Sequence, residues 1–204
     1  LSACQSPPAA PPPPTTVAAV GELRPGSGVP RGYVERRLLP DSKALLPPPP
    51  AAGSSAAALD LEIHKATRAL RGTPRWDWAA RDAVYRFPGA AATFSCVLNM
   101  PISEAATPHL NMLLSRTLVD AGLSTYGAKD HYKRVRPYVA LNESTCYPTD
   151  EASLRSDGSY PSGHAALGWA WGLVLAELVP DRTDALLARA HAYGQSRVVC
   201  GYHW

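Results

Sequence analysis

Proline is concentrated at one end of this 204-residue chain: 13 of its 21 prolines lie within the first 50 residues. Proline lacks a backbone N–H and has a fixed φ, so a dense run of prolines can neither continue a helix nor pair inside a sheet. The segment 5–16, QSPPAAPPPPTT, is therefore predicted to be an extended spacer without a core. The uneven distribution divides the chain into a proline-rich tail or linker at 1–32 and a folded domain at 33–204.

The overall composition excludes several classes of protein. A net charge of only +3 does not argue for a nucleic-acid binder, which would need clustered basic residues, so no nucleic-acid partner is expected. A hydrophobic fraction of 46% excludes global disorder. No apolar run reaches the roughly 18 residues that a membrane-spanning helix needs. The domain is thus expected to fold around an ordinary core.

The first four residues, Leu1 to Cys4, resemble the bacterial lipobox. The resemblance implies a periplasmic protein with a lipid anchor through Cys4; the alternatives are a secreted protein and a chance match in a low-complexity tail.

Without a CxxC pair or a His/Cys cluster, no metal site is predicted. In an oxidising compartment one disulfide is expected among Cys96, Cys146 and Cys200, and the sequence leaves the pair open.

Helical signals fill the domain, and no strand alternation is present. Thr73-Pro74 and Thr107-Pro108 each supply an N-cap followed by proline at the first helical position, and Gly72 is a typical helix stop. Helices are predicted at 55–71, 74–86, 89–98, 108–121, 123–133, 163–179 and 180–199, with a long loop at 138–160. The segment 163–179 is apolar nearly all round, which predicts a central buried helix. The expected fold is all-α, a helical bundle.

An arm is expected to join the tail to the bundle. It lies before a second proline block, Pro47 to Pro50, and contains apolar side chains that are predicted to pack on the domain: Tyr33, Leu38, Leu39, Leu45 and Leu46.

Three segments combine basic residues, a tight turn and histidines. They are K-x6-R-P from Lys129 to Pro137, P-S-G-H from Pro161 to His164, and S-R-x5-H from Ser196 to His203. Singly, each has an ordinary structural explanation: a basic run at a helix C-terminus, a Ser-capped helix start and a histidine at a helix end. Their order and spacing, with 23 residues between Pro137 and Pro161, favour a functional interpretation.

Together the three segments resemble the signature of the type 2 phosphatidic-acid phosphatase (PAP2) superfamily, which includes the bacterial class A nonspecific acid phosphatases and the vanadium haloperoxidases. Arg71 to Trp76 and Gly158 to Tyr160 also resemble the class A enzymes, so the likeness covers roughly 33–204. It implies the helical bundle fold of that superfamily. It also implies a broad-specificity acid phosphatase acting on small phosphomonoesters without a cofactor, with phosphate transfer to alcohols as a side activity.

The resemblance assigns roles to seven residues. His203 matches the nucleophile that forms a phosphohistidine, and His164 matches the general acid and base. The phosphate would be bound by five others: Lys129, Arg136, Ser162, Gly163 and Arg197. These residue types suit the chemistry because phosphoryl transfer depends on positive charge and hydrogen-bond donors around the equatorial oxygens. Arginine adds a bidentate donor, and the Gly163 amide lies at a predicted helix N-terminus.

The chain departs from the family pattern at its end. The pattern places an aspartate four residues after His203, where it would hold the second imidazole nitrogen, whereas the last residue here is Trp204. By the logic of catalytic triads, the orientation of His203 is then expected to lack support. The domain is accordingly expected to be C-terminally incomplete, and the 204-residue chain to be weak or inactive.

Alternatives to the phosphatase remain at this stage. The same basic cluster would bind vanadate in a haloperoxidase. A membrane lipid phosphatase would need several spans, which this sequence lacks. A non-catalytic cell-envelope lipoprotein would tolerate replacement of Arg136, Arg197 and His203. A homo-oligomer is compatible with an apolar face on the predicted helix at 74–86.

Overall fold

The computed structural model describes residues 11–204, so the lipobox-like segment 1–4 and the lipid anchor predicted at Cys4 lie outside the described residues. Within 11–204 the regular structure is helical, and the only β pairing is an isolated bridge between Glu22 and Pro30. The predicted all-α class is confirmed. No helix in this part of the chain has both the length and the apolarity needed to cross a membrane.

The helices of the described chain fall into long and single-turn elements. The longer ones are α3 (Ser55–Arg68), α4 (Pro74–Asp82), α6 (Pro108–Ser124), α7 (Tyr126–Tyr132), α10 (Gly163–Leu178) and α11 (Thr183–Cys200). Single turns form α1 (Val17–Val20), α2 (Ser42–Leu45), α5 (Ser95–Leu98), α8 (Pro137–Ala140) and α9 (Glu151–Leu154). Four 3-10 segments lie at Arg36–Leu38, Gly89–Phe94, Pro148–Asp150 and Pro180–Arg182.

The central contact of the bundle joins α10 to α11, with α6 and α4 packed alongside. Two glycines of α10 allow this approach. A Cβ at Gly172 would lie 2.6 Å from the Cβ of Ala190, and one at Gly168 would overlap the ring of Tyr193. Trp171, fully buried, donates its indole N–H to the carbonyl of Leu114 at 2.9 Å and so links α10 to α6. This packing fixes where the N-terminus of α10 and the C-terminus of α11 meet.

The predicted helix starts are confirmed at Pro74, Pro108 and Gly163. Several ends differ by a turn, as expected where frayed ends lack strong sequence signals. The helix predicted at 89–98 is a 3-10 segment followed by the single turn α5, which ends at Asn99 in the left-handed conformation.

Two predictions about helical content and burial were wrong. The segment 138–160 is not one long loop, because it contains most of α8, a 3-10 turn and α9; single turns are too short to show a periodic pattern. The helix α10 is not buried all round. Trp169 and Leu173 are 45% and 47% exposed, because α6 and α11 cover only the face that contains Leu167, Trp171 and Leu175.

The arm packs differently from the prediction. Tyr33, Leu38 and Leu45 are exposed, and only Leu39 and Leu46 are partly buried. Polar contacts hold the arm instead. Asp120 of α6 accepts the backbone N–H groups of Tyr33 and Val34, and Ser42 accepts the N–H of Ala128.

A disulfide joins Cys146 to Cys200, so the expected single bond among three cysteines is confirmed and its pair is identified. Cys96 is a free, exposed thiol. The bond connects the segment before α9 to the last residue of α11.

Candidate active site

A small cavity of about 120 Å³ lies where α6, α7, α10 and the end of α11 converge. Six of the seven predicted site residues line it: Lys129, Arg136, Gly163, His164, Arg197 and His203. The seventh, Ser162, does not. Three motifs that are far apart in the sequence therefore meet in one place.

Lys129 projects from α7 and is 4% exposed. Its Nζ donates to the carbonyl of Gly158 at 2.7 Å and lies 3.7 Å from a carboxylate oxygen of Asp157. Burial lowers the pKa of Lys129 to about 8, partly opposed by Asp157. The Lys129 ammonium is already buried, and its counter-ion lies 3.7 Å away. It can therefore bind an anion without losing much more of its own hydration.

Arg136, immediately before α8, is held by a dense network. Its Nε donates to the carbonyls of Leu154 and Asp157, and its Nη1 donates to the carbonyl of Tyr202 at 3.2 Å. Its Nη2 lies 3.2 Å from the Asp157 carboxylate and donates to the carbonyl of Gly158. Burial is the main cause that lowers its pKa, and the group still remains charged in proteins. The guanidinium is thus rigidly oriented at the cavity wall.

Arg197 differs from the other two cations because no carboxylate among residues 11–204 forms an ion pair with it. It is 1% exposed, and two of its nitrogens, Nε and Nη1, have no hydrogen-bond partner among residues 11–204. Its guanidinium lies 4.3 Å from the ring centroid of Tyr202. Burial lowers its pKa to about 10. A buried cation with unused donors is costly, and an anionic ligand would satisfy it.

The rotation of α11 that directs Arg197 into the cavity is set by its neighbour Ser196. The Ser196 hydroxyl donates to Asp82 of α4 at 2.6 Å, and Asp82 also pairs with Arg189. The serine of the S-R-x5-H motif is therefore a structural anchor in this fold.

The imidazole of His203 is held through both of its nitrogens. Its Nδ1 lies 2.6 Å from the carbonyl of Ser159, and its Nε2 lies 3.0 Å from Nη1 of Arg136. Because a carbonyl only accepts and a guanidinium only donates, Nδ1 has the proton and the lone pair of Nε2 accepts the hydrogen bond from Arg136. Burial, followed by Arg136 and Arg197, lowers the pKa of His203 well below its usual value. A neutral ring with an unprotonated Nε2 is the form that a nucleophile requires.

This arrangement corrects the expectation that the orientation of His203 lacks support. The acceptor is a backbone carbonyl, that of Ser159, in the segment before α10. A main-chain atom has no sequence signal, so its role could be found only from the fold.

His164 lies in the first turn of α10 and is buried. Its Nε2 donates to the carbonyl of Ala83 at 3.1 Å, and the edge of Tyr85 contacts its ring. Burial and then Arg197 lower its pKa well below the usual value. The predicted general acid needs a proton on this ring. A bound phosphate dianion beside the same cations would favour the protonated form, so proton donation depends on an occupied site.

Ser162 and Gly163 begin α10. The Ser162 hydroxyl caps the helix by accepting the N–H of Ala165 at 3.2 Å, which places it outside the cavity lining. A Cβ at Gly163 would meet only Thr125 Oγ1 at 3.8 Å, so the packing of the protein itself does not require glycine there. Close approach of a ligand to the backbone would require it.

Comparison with known proteins gives concordant matches. Residues 106–204 match the model of the PAP2 superfamily. A non-specific acid phosphatase of Providencia stuartii is 42% identical over 173 residues, which are 84% of this chain and 70% of that protein. A non-specific acid phosphatase of Salmonella typhimurium is 43% identical over 165 residues, 80% of this chain and 66% of the relative. The chain belongs to the non-specific acid phosphatases of the PAP2 superfamily.

A more distant acid phosphatase, from Zymomonas mobilis, is 38% identical over 147 residues, 72% of this chain and 56% of the relative. Across these three proteins the chain spans between 56% and 70% of the relative's length. The predicted family and enzyme class are confirmed. The superfamily match contains all seven predicted site residues, whose individual roles stay predictions.

One charged residue of this cavity was not predicted from the sequence. Asp157 lines the cavity and is the counter-ion of both Lys129 and Arg136. Asp157 immediately precedes the segment Gly158 to Tyr160, which resembles the class A enzymes, and this position is the one feature of the sequence that could have indicated it. Within residues 11–204 no group of three or more His, Cys, Asp or Glu side chains is placed to hold a metal ion.

The lowered pKa of Lys129 gives a prediction for phosphate binding. We expect the inhibition constant of inorganic phosphate to rise by up to about tenfold per pH unit above pH 8, because the buried ammonium loses its proton there. Competition against p-nitrophenyl phosphate between about pH 7.5 and 9.5 measures this. In Lys129→Arg the positive charge persists and the rise should disappear. An equal rise in that variant would contradict the assignment.

Proposed function

We propose that this chain hydrolyses small phosphomonoesters through a phosphohistidine on His203, without a metal ion. The observation that carries the proposal is the buried guanidinium of Arg197, which has two unpartnered nitrogens beside a cavity lined by Lys129 and Arg136. Among the described residues that line the cavity, three cations face a single carboxylate, that of Asp157, so the cavity has positive charge. That charge is complementary to a phosphoryl group, whose equatorial oxygens share negative charge during transfer.

In the proposed first step, the Nε2 lone pair of His203 attacks phosphorus and the P–O ester bond breaks. The ester oxygen leaves with the bonding pair and takes a proton from His164. The guanidinium of Arg136 must transfer its Nη1 hydrogen bond from Nε2 to a phosphate oxygen for this attack to occur. The Ser159 carbonyl stabilises the positive charge on the imidazole because Nδ1–H remains its donor.

In the second step, His164 removes a proton from water, the water oxygen attacks phosphorus, and the P–N bond to His203 breaks. Inorganic phosphate leaves and both rings return to their starting forms. An alcohol that replaces water in this step would accept the phosphoryl group, which is the proposed phosphotransferase side activity. The three cations provide the electrostatic stabilisation that a metal ion supplies in other phosphatases.

The test is hydrolysis of p-nitrophenyl phosphate by the purified protein with excess EDTA, at about pH 5 to 7, where histidines titrate. We expect turnover that is resistant to EDTA, and transfer to added glycerol detected as glycerol phosphate. Absence of turnover would overturn the proposal. Vanadate-dependent bromide oxidation would then identify a haloperoxidase, and phosphate binding without either reaction would identify a binding protein.

We infer that the domain functions in an oxidising compartment, in the periplasm or after secretion. The Cys146–Cys200 disulfide supports this inference because such bonds rarely persist in the cytosol. Lipid anchoring through Cys4, homo-oligomerisation, and the domain boundary between 32 and 33 stay predictions.

A further inference from the structure

The disulfide lies next to the catalytic cavity rather than at a distant edge of the fold. Cys200 is the last residue of α11, three positions after Arg197 and three before His203. Its carbonyl accepts the backbone N–H of Cys146 at 3.0 Å, so the segment around Cys146 is attached to the helix end by a covalent bond and a hydrogen bond. After Cys200 the chain turns at Gly201, whose φ of 88° is in the left-handed region.

The segment around Cys146 also holds the residue that precedes His203. The hydroxyl of Tyr202 donates to the carbonyl of Tyr147 at 2.7 Å, one residue from the disulfide. The carbonyl of Tyr202 accepts from Arg136, and the guanidinium of Arg197 lies over its ring. The backbone between Cys200 and His203 is therefore fixed on one side by the disulfide-linked segment and on the other by the phosphate-binding arginines.

The same segment supports Arg136 from behind. The N–H of Thr145 donates to the carboxylate of Glu151 at 2.7 Å at the start of α9. At the end of α9, the carbonyl of Leu154 accepts from Nε of Arg136 at 3.1 Å. One short stretch of chain thus links the nucleophile to the guanidinium that contacts its Nε2.

We propose that the Cys146–Cys200 disulfide is a positioning device for His203, so that opening it impairs phosphoryl transfer far more than phosphate binding. This inference rests on the proposed function of His203. Phosphate binding depends mainly on Lys129, Arg136 and Arg197, which keep anchors outside the disulfide-linked segment: the Gly158 carbonyl for the lysine, the Asp157 and Gly158 carbonyls for Arg136, and the buried helix for Arg197. Attack by Nε2 is more sensitive, because a displacement of about 1 Å costs about 100-fold in rate.

The experiment compares Cys146→Ser/Cys200→Ser with Cys96→Ser, a matched control that removes the exposed thiol outside the cavity. We expect kcat for p-nitrophenyl phosphate to fall by about 10- to 100-fold in the double variant. The inhibition constant of inorganic phosphate should stay within about threefold of its original value. The control should keep both values. An unchanged kcat in the double variant would overturn the proposal.

A second measurement covers the case in which the double variant does not fold. The Cys96→Ser protein is reduced with a phosphine and then reoxidised, while circular dichroism reports the helices. Reversible loss of kcat with retained helices and phosphate inhibition supports positioning. The opposite result is that kcat, phosphate inhibition and the helical signal are all lost together, in the double variant and in the reduced protein. The bond would then only stabilise the fold, and the inference would be refuted.

The outcome also separates this inference from the proposed function. If the oxidised Cys96→Ser protein shows no turnover, the proposed function fails and this inference fails with it. If that protein turns over substrate and reduction leaves kcat unchanged, only the positioning role of the disulfide is lost.

Discussion

Replacing His203 by alanine is expected to lower kcat for p-nitrophenyl phosphate by at least about 10⁴-fold, the scale on which removal of a catalytic nucleophile acts. The structure supports this size of effect because the Nδ1 proton of the ring is held by the Ser159 carbonyl, which leaves Nε2 unprotonated. No other imidazole of the cavity is held in this way, since Nε2 of His164 donates to Ala83.

The measurement combines steady-state kinetics with trapping of the phosphorylated protein. Acid-labile phosphate bound to the wild-type protein after a rapid quench should be absent from His203→Ala. His191→Ala is the matched control, because His191 is an exposed histidine of α11 that lies outside the cavity. A labelled and active His203→Ala protein would exclude His203 as the nucleophile.

The role of His164 is tested by varying the leaving group. In His164→Asn, kcat/KM for an alkyl phosphate, which reports the steps up to departure of the leaving group, should fall by about 10²- to 10⁴-fold, because its poor leaving group needs the proton. The kcat/KM for p-nitrophenyl phosphate should fall less, since p-nitrophenolate departs without protonation. Equal losses of kcat/KM with both substrates would contradict a general acid and favour a role for His164 in binding.

The sequence allowed the fold class and the meeting of the three motifs to be predicted for identifiable reasons. Thr-Pro pairs mark the starts of α4 and α6, and Pro161-Ser162 precedes the start of α10. Long apolar segments between such signals can only form helices when no alternation is present. The resemblance of the three ordered motifs to the PAP2 signature then implied that their residues form one site.

Other features depend on contacts that have no local pattern. The single turns α8 and α9 are too short to show periodicity, and the exposure of Trp169 depends on where α6 and α11 lie. Asp157 became recognisable as a counter-ion only when the fold placed it between Lys129 and Arg136. Ser162 is the opposite case, a residue that was predicted for the site but lies outside the cavity lining. Its hydroxyl accepts a hydrogen bond from its own helix instead.

The second large effect concerns Arg197, whose burial without a counter-ion predicts opposite changes in activity and stability. In Arg197→Met we expect kcat/KM to fall by about 10³-fold or more, because a guanidinium that stabilises transferred phosphoryl charge is lost. We also expect the free energy of unfolding, measured without phosphate, to rise by about 1 to 4 kcal/mol. Replacement of buried charge by an apolar side chain of similar size removes a desolvation cost.

Arg189 in the same helix is the matched control for stability, because it is paired with Asp82 and lies outside the catalytic cavity. Arg189→Met leaves the buried Asp82 carboxylate without its ion-pair partner, with only the Ser196 hydroxyl still donating to it, and should lower the free energy of unfolding by about 3 kcal/mol. Arg197→Lys keeps the charge but loses the bidentate donor, so it should lose activity without the gain in stability.

Urea unfolding of the three variants with and without inorganic phosphate distinguishes a binding arginine from a structural one. Phosphate should stabilise the wild-type protein and Arg189→Met, because both keep the anion site, and should stabilise Arg197→Met much less. If Arg197→Met unfolds more easily than the wild-type protein and still gains full stability from phosphate, Arg197 supports the fold rather than the ligand. If it is more stable, inactive and insensitive to phosphate, then the fold retains a destabilising buried charge because that charge binds the phosphoryl group.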